Sequence, residues 1–131
     1  MKILLDTNAY AAIGRGHPGA TDLLRRAEAL AFSTVVLGEV LAGFRHGSRR
    51  GENVAALRRF LSEPRVHLVP VTWTTADRYG RIYTALRRKG RPIPSNDIWI
   101  AAHALETGAD LVSFDSHFEH VDGLAWVHPD G

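Results

Sequence analysis

The chain has 131 residues, no cysteine and a formal net charge of +2. This length suits one domain with a sizeable core, expected to span residues 1–131, and the lack of cysteine excludes a thiol nucleophile or a cysteine-ligated zinc. The N-terminal apolar run stops at Asp6 and no later run approaches the roughly 18 apolar residues of a membrane span. The sequence therefore predicts a cytoplasmic protein without a membrane partner.

The first predicted element is a buried strand over residues 1–5. Ile3, Leu4 and Leu5 show no alternation of apolar and polar residues, which indicates a central strand covered on both faces. Asp6 follows directly, at the edge of the sheet where open α/β proteins bind ligands. Asp6 is therefore a candidate site residue, and a simple cap for a helix starting at Ala9 is the alternative.

Strand and helix signals alternate along the rest of the chain. Apolar periodicity and stop signals predict helices over residues 9–14, 21–30, 35–44, 53–62, 74–89 and 96–107. Ser33 or Thr34 is the expected cap of the third helix, and Ser95 or Asn96 of the last. Further strands are predicted over 31–33, 66–71, 111–114 and 124–127, with a loop or single turn over 115–123. This order predicts an α/β fold with a mainly parallel, helix-covered sheet.

Four acidic residues stand out in this layout. Asp6 and Asp115 each follow an apolar strand, so a parallel sheet brings both to one edge. Glu39 lies in an almost wholly apolar helix, where a carboxylate is costly unless it binds a cation, pairs with an Arg or lies on an exposed stripe. Asp97 lies in the first turn of a helix, where the dipole alone favours an anion. Together they form an oxygen-rich set suited to Mg²⁺ or Mn²⁺, which serve phosphoryl chemistry.

The basic residues point to a nucleic acid. Of the 16 Lys and Arg residues, 14 are arginines, clustered over 45–50, at 58–59 and over 87–91. Arginine forks suit phosphate, so RNA or DNA is a candidate partner, and solvated helix faces are the alternative explanation. Arg91, just ahead of Asp97 in sequence, is the basic residue most readily placed on a phosphate.

Four segments resemble the signature motifs of PIN-domain ribonucleases, most closely the VapC-type toxins of bacterial toxin–antitoxin pairs. They are residues 6–8, 36–44, 95–102 and 111–118, in this order and across nearly the whole chain. The resemblance implies an α/β/α sandwich with a five-stranded parallel sheet, endonucleolytic RNA cleavage, homodimerisation and inhibition by a small DNA-binding antitoxin. It also implies a catalytic Mg²⁺ or Mn²⁺ site made by Asp6, Glu39, Asp97 and Asp115.

The chain departs from the family pattern at two positions beside the fourth acid. Ser113 replaces a common threonine and keeps its hydroxyl, whereas His117 stands where many relatives carry another Asp. Candidate substrate contacts are Thr7, Asn8, Arg91, Ser113 and His117.

Three other polar residues receive weaker assignments. His103 lies six residues after Asp97, roughly opposite on the helix, and is expected to be structural. His120 lies near the predicted site and is a candidate for contact with RNA. Asp110 is an odd number of residues from Asp115, which in a regular strand sends it to the other face.

Two other classes of function remain open. A phosphotransfer protein with a phospho-accepting Asp usually needs a second acid beside that Asp and a lysine for the phosphate. Here Thr7 and Asn8 follow Asp6, and the only lysines are Lys2 and Lys89. A non-catalytic RNA- or partner-binding module would keep the fold but fail to bind metal.

Overall fold

A computed structural model describes residues 1–131 and contains a five-stranded parallel sheet. The strands are β1 (Lys2–Leu5), β2 (Ala29–Ser33), β3 (Val66–Val69), β4 (Asp110–Val112) and β5 (Trp126–Val127), in the spatial order β3-β2-β1-β4-β5. β1 is the central strand, and Ile3, Leu4 and Leu5 are fully buried. The predicted central strand and parallel sheet are therefore confirmed.

Six α-helices complete the α/β/α sandwich. They are α1 (Thr7–Gly14), α2 (Pro18–Arg26), α3 (Thr34–Arg45), α4 (Arg50–Leu61), α5 (Trp73–Lys89) and α6 (Ser95–Thr107). A short 3-10 helix, Ser116–His120, fills the segment predicted as a loop or single turn. None of the helices combines the length and the apolar character that crossing a membrane would need.

The predicted helix over residues 21–30 is wrong at both ends. The helix starts at Pro18 and ends at Arg26, and Leu30 lies in β2 instead. A long-range contact closes the helix, since the Arg65 guanidinium donates to the carbonyl oxygens of Leu24 and Ala27, both at 2.8 Å. Leu30 matches the helical spacing only because β2, the strand that contains it, is also apolar.

The ends of other elements show why capping signals are ambiguous. Ser33 caps α3 as expected, accepting a hydrogen bond from the Val35 amide at 3.0 Å. The predicted cap of α6 by Ser95 or Asn96 is wrong, because Pro94 occupies the cap position without a side-chain hydrogen bond. α1 begins at Thr7 rather than Ala9, β3 ends at Val69 before Pro70, and β5 begins at Trp126 rather than Leu124.

The α5–α6 pair carries Asp97 to the site. Gly90 ends α5 with φ 69°, a left-handed conformation that glycine adopts without the strain a side chain would cause. Residues 91–94 then turn the chain back. Tyr79 on α5 bonds the Ser95 hydroxyl at 2.8 Å, and Thr75 donates to Glu106 at 2.6 Å. These two bonds fix the start and the end of α6 against α5.

Candidate active site

The carboxyl ends of β1 and β4 bring Asp6 and Asp115 to the same edge of the sheet. The Asp6 amide continues the ladder by donating to the Val112 carbonyl at 3.2 Å, and Asp6 is only 7% exposed. Its Oδ1 accepts a hydrogen bond from the Ala9 amide at 2.9 Å. Asp6 therefore caps α1 and faces the edge of the sheet, so its two proposed roles do not compete.

Glu39 is held at this edge by residues from two other helices. Thr7 Oγ1 donates to one carboxylate oxygen at 2.6 Å, and Asn96 Nδ2 donates to the other at 3.3 Å. Glu39 forms no ion pair, so the alternative of a partner arginine does not apply. The contact with Asn96 was not predicted from the sequence, although Asn96 lies directly before Asp97 in the matching motif.

The remaining two acids meet at a histidine. Asp97 Oδ2 and Asp115 Oδ2 lie 2.8 Å and 3.0 Å from Nε2 of His117. Ser113 Oγ accepts a hydrogen bond from the Asp115 amide at 3.0 Å, and the Asp115 carboxylate accepts one from the His117 amide at 3.2 Å. Sequence reasoning foresaw no pairing of a histidine with these acids, because Asp97 and His117 come from separate elements.

Asp6 and Asp97 lie in a partly buried environment rich in acids. Burial raises the pKa of Asp6, and the nearby charges of Asp97 and Asp115 raise it further, while hydrogen bonds from Ser113 and the Ala9 amide oppose the rise. Burial likewise raises the pKa of Asp97. His117 opposes that rise, and the charges of Asp115 and Glu39 add to it. These carboxylates therefore repel one another when they are ionised.

Burial of Asp97, together with repulsion from Asp115 and Glu39, predicts that Asp97→Asn stabilises the metal-free protein. Because the folded pKa of Asp97 is raised, the folded chain holds this proton more tightly, and stability is lost as pH rises through the unfolded pKa toward the folded one. Asparagine does not ionise, so the substitution avoids this loss. We expect a melting temperature a few degrees higher, for a gain of about 1 kcal/mol. Thermal melts in EDTA measure it.

The matched control for this melt is excess Mg²⁺. A cation that binds only the folded chain raises the melting temperature of the native protein, and less that of a variant lacking one ligand. If Asp97→Asn melts lower in EDTA and gains as much from Mg²⁺ as the native chain, Asp97 is only a first-turn anion of α6. The helix dipole opposes the expected gain, at about 0.3 to 1 kcal/mol.

The other predicted site residues divide by exposure. Asn8 and Arg91 are exposed, and neither side chain has a hydrogen-bond partner in the protein. Ser113 is fully buried, and its hydroxyl contacts Asp6 and the Asp115 amide. That position does not fit the predicted contact between Ser113 and substrate; the residue orients the acids instead. His120 Nε2 lies 3.5 Å from Oε1 of the neighbouring Glu119, and the side chain does not contact the four acids.

The donor set fits a hard divalent cation. Neither lysine nor arginine forms an ion pair with Asp6, Glu39, Asp97 or Asp115, and His117 is the one basic side chain paired with them. Converging carboxylates without a fixed cation are the ligands that Mg²⁺ and Mn²⁺ take in proteins. Asp97, Asp115 and His117 each offer a ligand atom, and these atoms lie within 4.8 Å of one another.

Comparison with protein families agrees with this fold. A family model described as PIN domain matches residues 3–124. The chain belongs to the PIN-domain family. Ribonuclease VapC2 of Rickettsia felis is 32% identical over 117 residues, which cover 86% of each chain. A protein of Shigella flexneri named tRNA(fMet)-specific endonuclease VapC is 29% identical and covers 95% of each chain.

A solved structure extends the likeness to three dimensions. It is the crystal structure of VapBC2 from Rickettsia felis bound to a DNA fragment from their promoter. Its matching chain superposes with a TM-score of 0.83, at 28% identity over 98% of each chain. The PIN-domain fold expected from the four motifs, with its VapC likeness, is therefore confirmed.

Proposed function

We propose that this PIN-domain chain is a metal-dependent endoribonuclease and the toxin of a toxin–antitoxin pair. The observation that carries the proposal is the convergence of four carboxylates, without a lysine or arginine among them, at the carboxyl edge of a parallel sheet. The relatives named ribonuclease and endonuclease support the same reaction. A non-catalytic module gains nothing from the repulsion between these charges.

Asp6, Glu39, Asp97 and Asp115 would hold Mg²⁺ or Mn²⁺. A bound divalent cation supplies a hydroxide nucleophile near neutral pH and neutralises charge on the reacting phosphate. The protein's part is to fix the oxygens beforehand. Thr7 and Asn96 each bond one oxygen of Glu39, and the Ala9 amide and Ser113 bond Asp6, so these carboxylates are oriented before substrate arrives.

RNA would approach this edge across arginine-rich surface. Arg91 lies on the exposed connection between α5 and α6, ahead of Asp97 in sequence. Its guanidinium has no protein partner and is available for a phosphate. Asn8 and His117 are further candidate contacts for RNA at the edge of the sheet. The Thr7 hydroxyl donates its hydrogen bond to Glu39, so Thr7 would act on RNA only through Glu39.

Partner proteins would cover apolar surface near the site. A shallow groove between α3 and α4 is lined by Leu37, Leu41, Val54, Leu57 and Leu61. A second cleft, lined by Tyr10, Ala11, Val40, Gly43 and Phe44, reaches Thr7 and Glu39. An apolar helix of a small DNA-binding antitoxin would fit such grooves and block the acids. We also propose that the toxin forms a homodimer.

Metal removal tests the proposed reaction. The purified chain, freed of any antitoxin, should cleave RNA with Mg²⁺ or Mn²⁺ and lose cleavage in EDTA, because the metal provides both nucleophile and charge neutralisation. Cleavage should return when Mg²⁺ is restored in excess. Gel analysis of a labelled RNA measures both steps. Full cleavage in EDTA would overturn the proposal, and binding of RNA without cleavage under any metal would favour the non-catalytic module.

A further inference from the structure

His117 faces two carboxylates through a single atom. Nε2 lies 2.8 Å from Asp97 Oδ2 and 3.0 Å from Asp115 Oδ2. One ring nitrogen carries at most one hydrogen, so it cannot give each oxygen a full hydrogen bond at the same time. A cation placed among the three atoms would satisfy both oxygens and use the nitrogen lone pair.

The spacing of these atoms is that of ligands around one octahedral cation. Ligands about 2.1 Å from such a cation lie about 3 Å apart when they are neighbours. Both distances from Nε2 match that value, and all three donor atoms lie within 4.8 Å of one another. The side chains therefore need little rearrangement to become three ligands of one ion.

The surroundings of His117 leave its ring ready for this role. The backbone amide of His117 is held by the Asp115 carboxylate at 3.2 Å, and the ring packs edge-on against buried Phe118, with centroids 5.3 Å apart. Nδ1 has no hydrogen-bond partner in the protein. Nδ1 can carry the ring hydrogen while Nε2 presents its lone pair to a metal.

We propose that Nε2 of His117 is a ligand of the divalent cation together with Asp97 and Asp115, and that this nitrogen shifts the selectivity of the site toward first-row transition-metal ions and away from Mg²⁺. The inference rests on the proposed metal-dependent function and adds a ligand and a metal class to it. Mg²⁺ prefers an all-oxygen shell, whereas imidazole nitrogen suits transition-metal ions.

Two substitutions separate a ligand from a hydrogen-bonded positioning residue. His117→Asp makes the site all-oxygen, and His117→Gln keeps a polar side chain but removes the ring nitrogen. Because loss of a merely supporting partner already costs about 10- to 100-fold in metal affinity, we expect at least a tenfold fall in the ratio of Co²⁺ to Mg²⁺ affinity in both variants. His120→Gln, in the same 3-10 helix, should leave the ratio unchanged.

Calorimetric titration with Co²⁺ and Mg²⁺ measures the ratio, and proton NMR of the Co²⁺ protein identifies the ligand. A coordinated His117 gives a strongly shifted, exchangeable Nδ1–H resonance that disappears in D₂O and is absent from both His117 variants. Equal loss of both cations in His117→Gln, or no such resonance, overturns the inference, and RNA cleavage with Mg²⁺ would still uphold the nuclease. Failure of every cation to bind would overturn both.

Discussion

RNA cleavage should fall by about 100- to 1,000-fold in each of four amide variants: Asp6→Asn, Glu39→Gln, Asp97→Asn and Asp115→Asn. Each amide keeps the shape of the side chain but removes one negative ligand from the proposed metal site. Metal-based charge stabilisation is worth several kcal/mol in the transition state, and each 1.36 kcal/mol corresponds to a tenfold change in rate. Single-turnover cleavage of a labelled RNA, with saturating Mg²⁺ and folded protein verified by circular dichroism, measures the loss.

Asp110→Asn is the matched control for these four variants. Asp110 is the first residue of β4, so it lies at the opposite end of that strand from Asp115 and outside the acid cluster. Its amide variant should cleave at the native rate.

In bacteria, expression of the native chain should arrest growth, and expression of Asp6→Asn should not. An Asp6→Asn protein that cleaves at the native rate would remove Asp6 from the proposed catalytic set.

His103→Ala should lower the free energy of unfolding by about 2 to 4 kcal/mol, or roughly 10 °C in melting temperature, without loss of catalysis by the folded protein. His103 is fully buried, and its ring bonds Ser33 Oγ at 2.8 Å and the Pro70 carbonyl at 3.1 Å. A carbonyl only accepts, so Nε2 carries the hydrogen and Nδ1 accepts from Ser33. Alanine leaves a cavity and an unpaired carbonyl.

The same residue predicts a pH dependence. Burial lowers the pKa of His103 below its usual 6.5, so the unfolded chain takes up this proton first as pH falls. The stability contributed by neutral His103 is therefore full above about pH 6.5 and is lost as pH falls toward the folded pKa. Urea unfolding at pH 8 and pH 5.5 should show this loss in the native chain and not in His103→Ala.

His67→Ala serves as the control for this comparison. His67 is an exposed residue of β3, and its side chain makes no hydrogen bond. Its removal should change neither the stability at pH 8 nor the slope between the two pH values. A stable His103→Ala protein with the native pH slope would show that the buried hydrogen bonds of His103 contribute nothing net. A folded but inactive His103→Ala protein would show instead that the active site extends to this side of α6.

Local signals in the sequence were sufficient where neighbouring residues decide the structure. Three consecutive apolar residues followed by Asp6 specify a central strand and what stands at its end, since no amphipathic alternative fits the run. The alternation of strands and helices specifies a parallel sheet, which places the ends of β1 and β4 at one edge. For this reason Asp6 and Asp115 could be placed at the same edge in advance. Glu39 stood out as a carboxylate in an apolar helix and Asp97 as an acid in a first helical turn, and all four acids fall within the four motifs.

Contacts between distant residues decided the rest. Arg65 ends α2 by bonding the Leu24 carbonyl 41 positions earlier, so no pattern within residues 18–30 could mark that end. Asn96 looked like a helix cap, yet its side chain bonds Glu39, 57 positions away, because α3 and α6 meet at the site.

The sequence placed His117 in a predicted loop, as a candidate contact for substrate. Only the packing of its 3-10 helix beside α6 brings Nε2 within 3.0 Å of two carboxylates. The sequence by itself thus determined the fold class and singled out the four acids as candidate site residues. The tertiary structure decided which neutral and basic side chains hold those acids, because hydrogen-bond partners across elements leave no periodic trace in the chain.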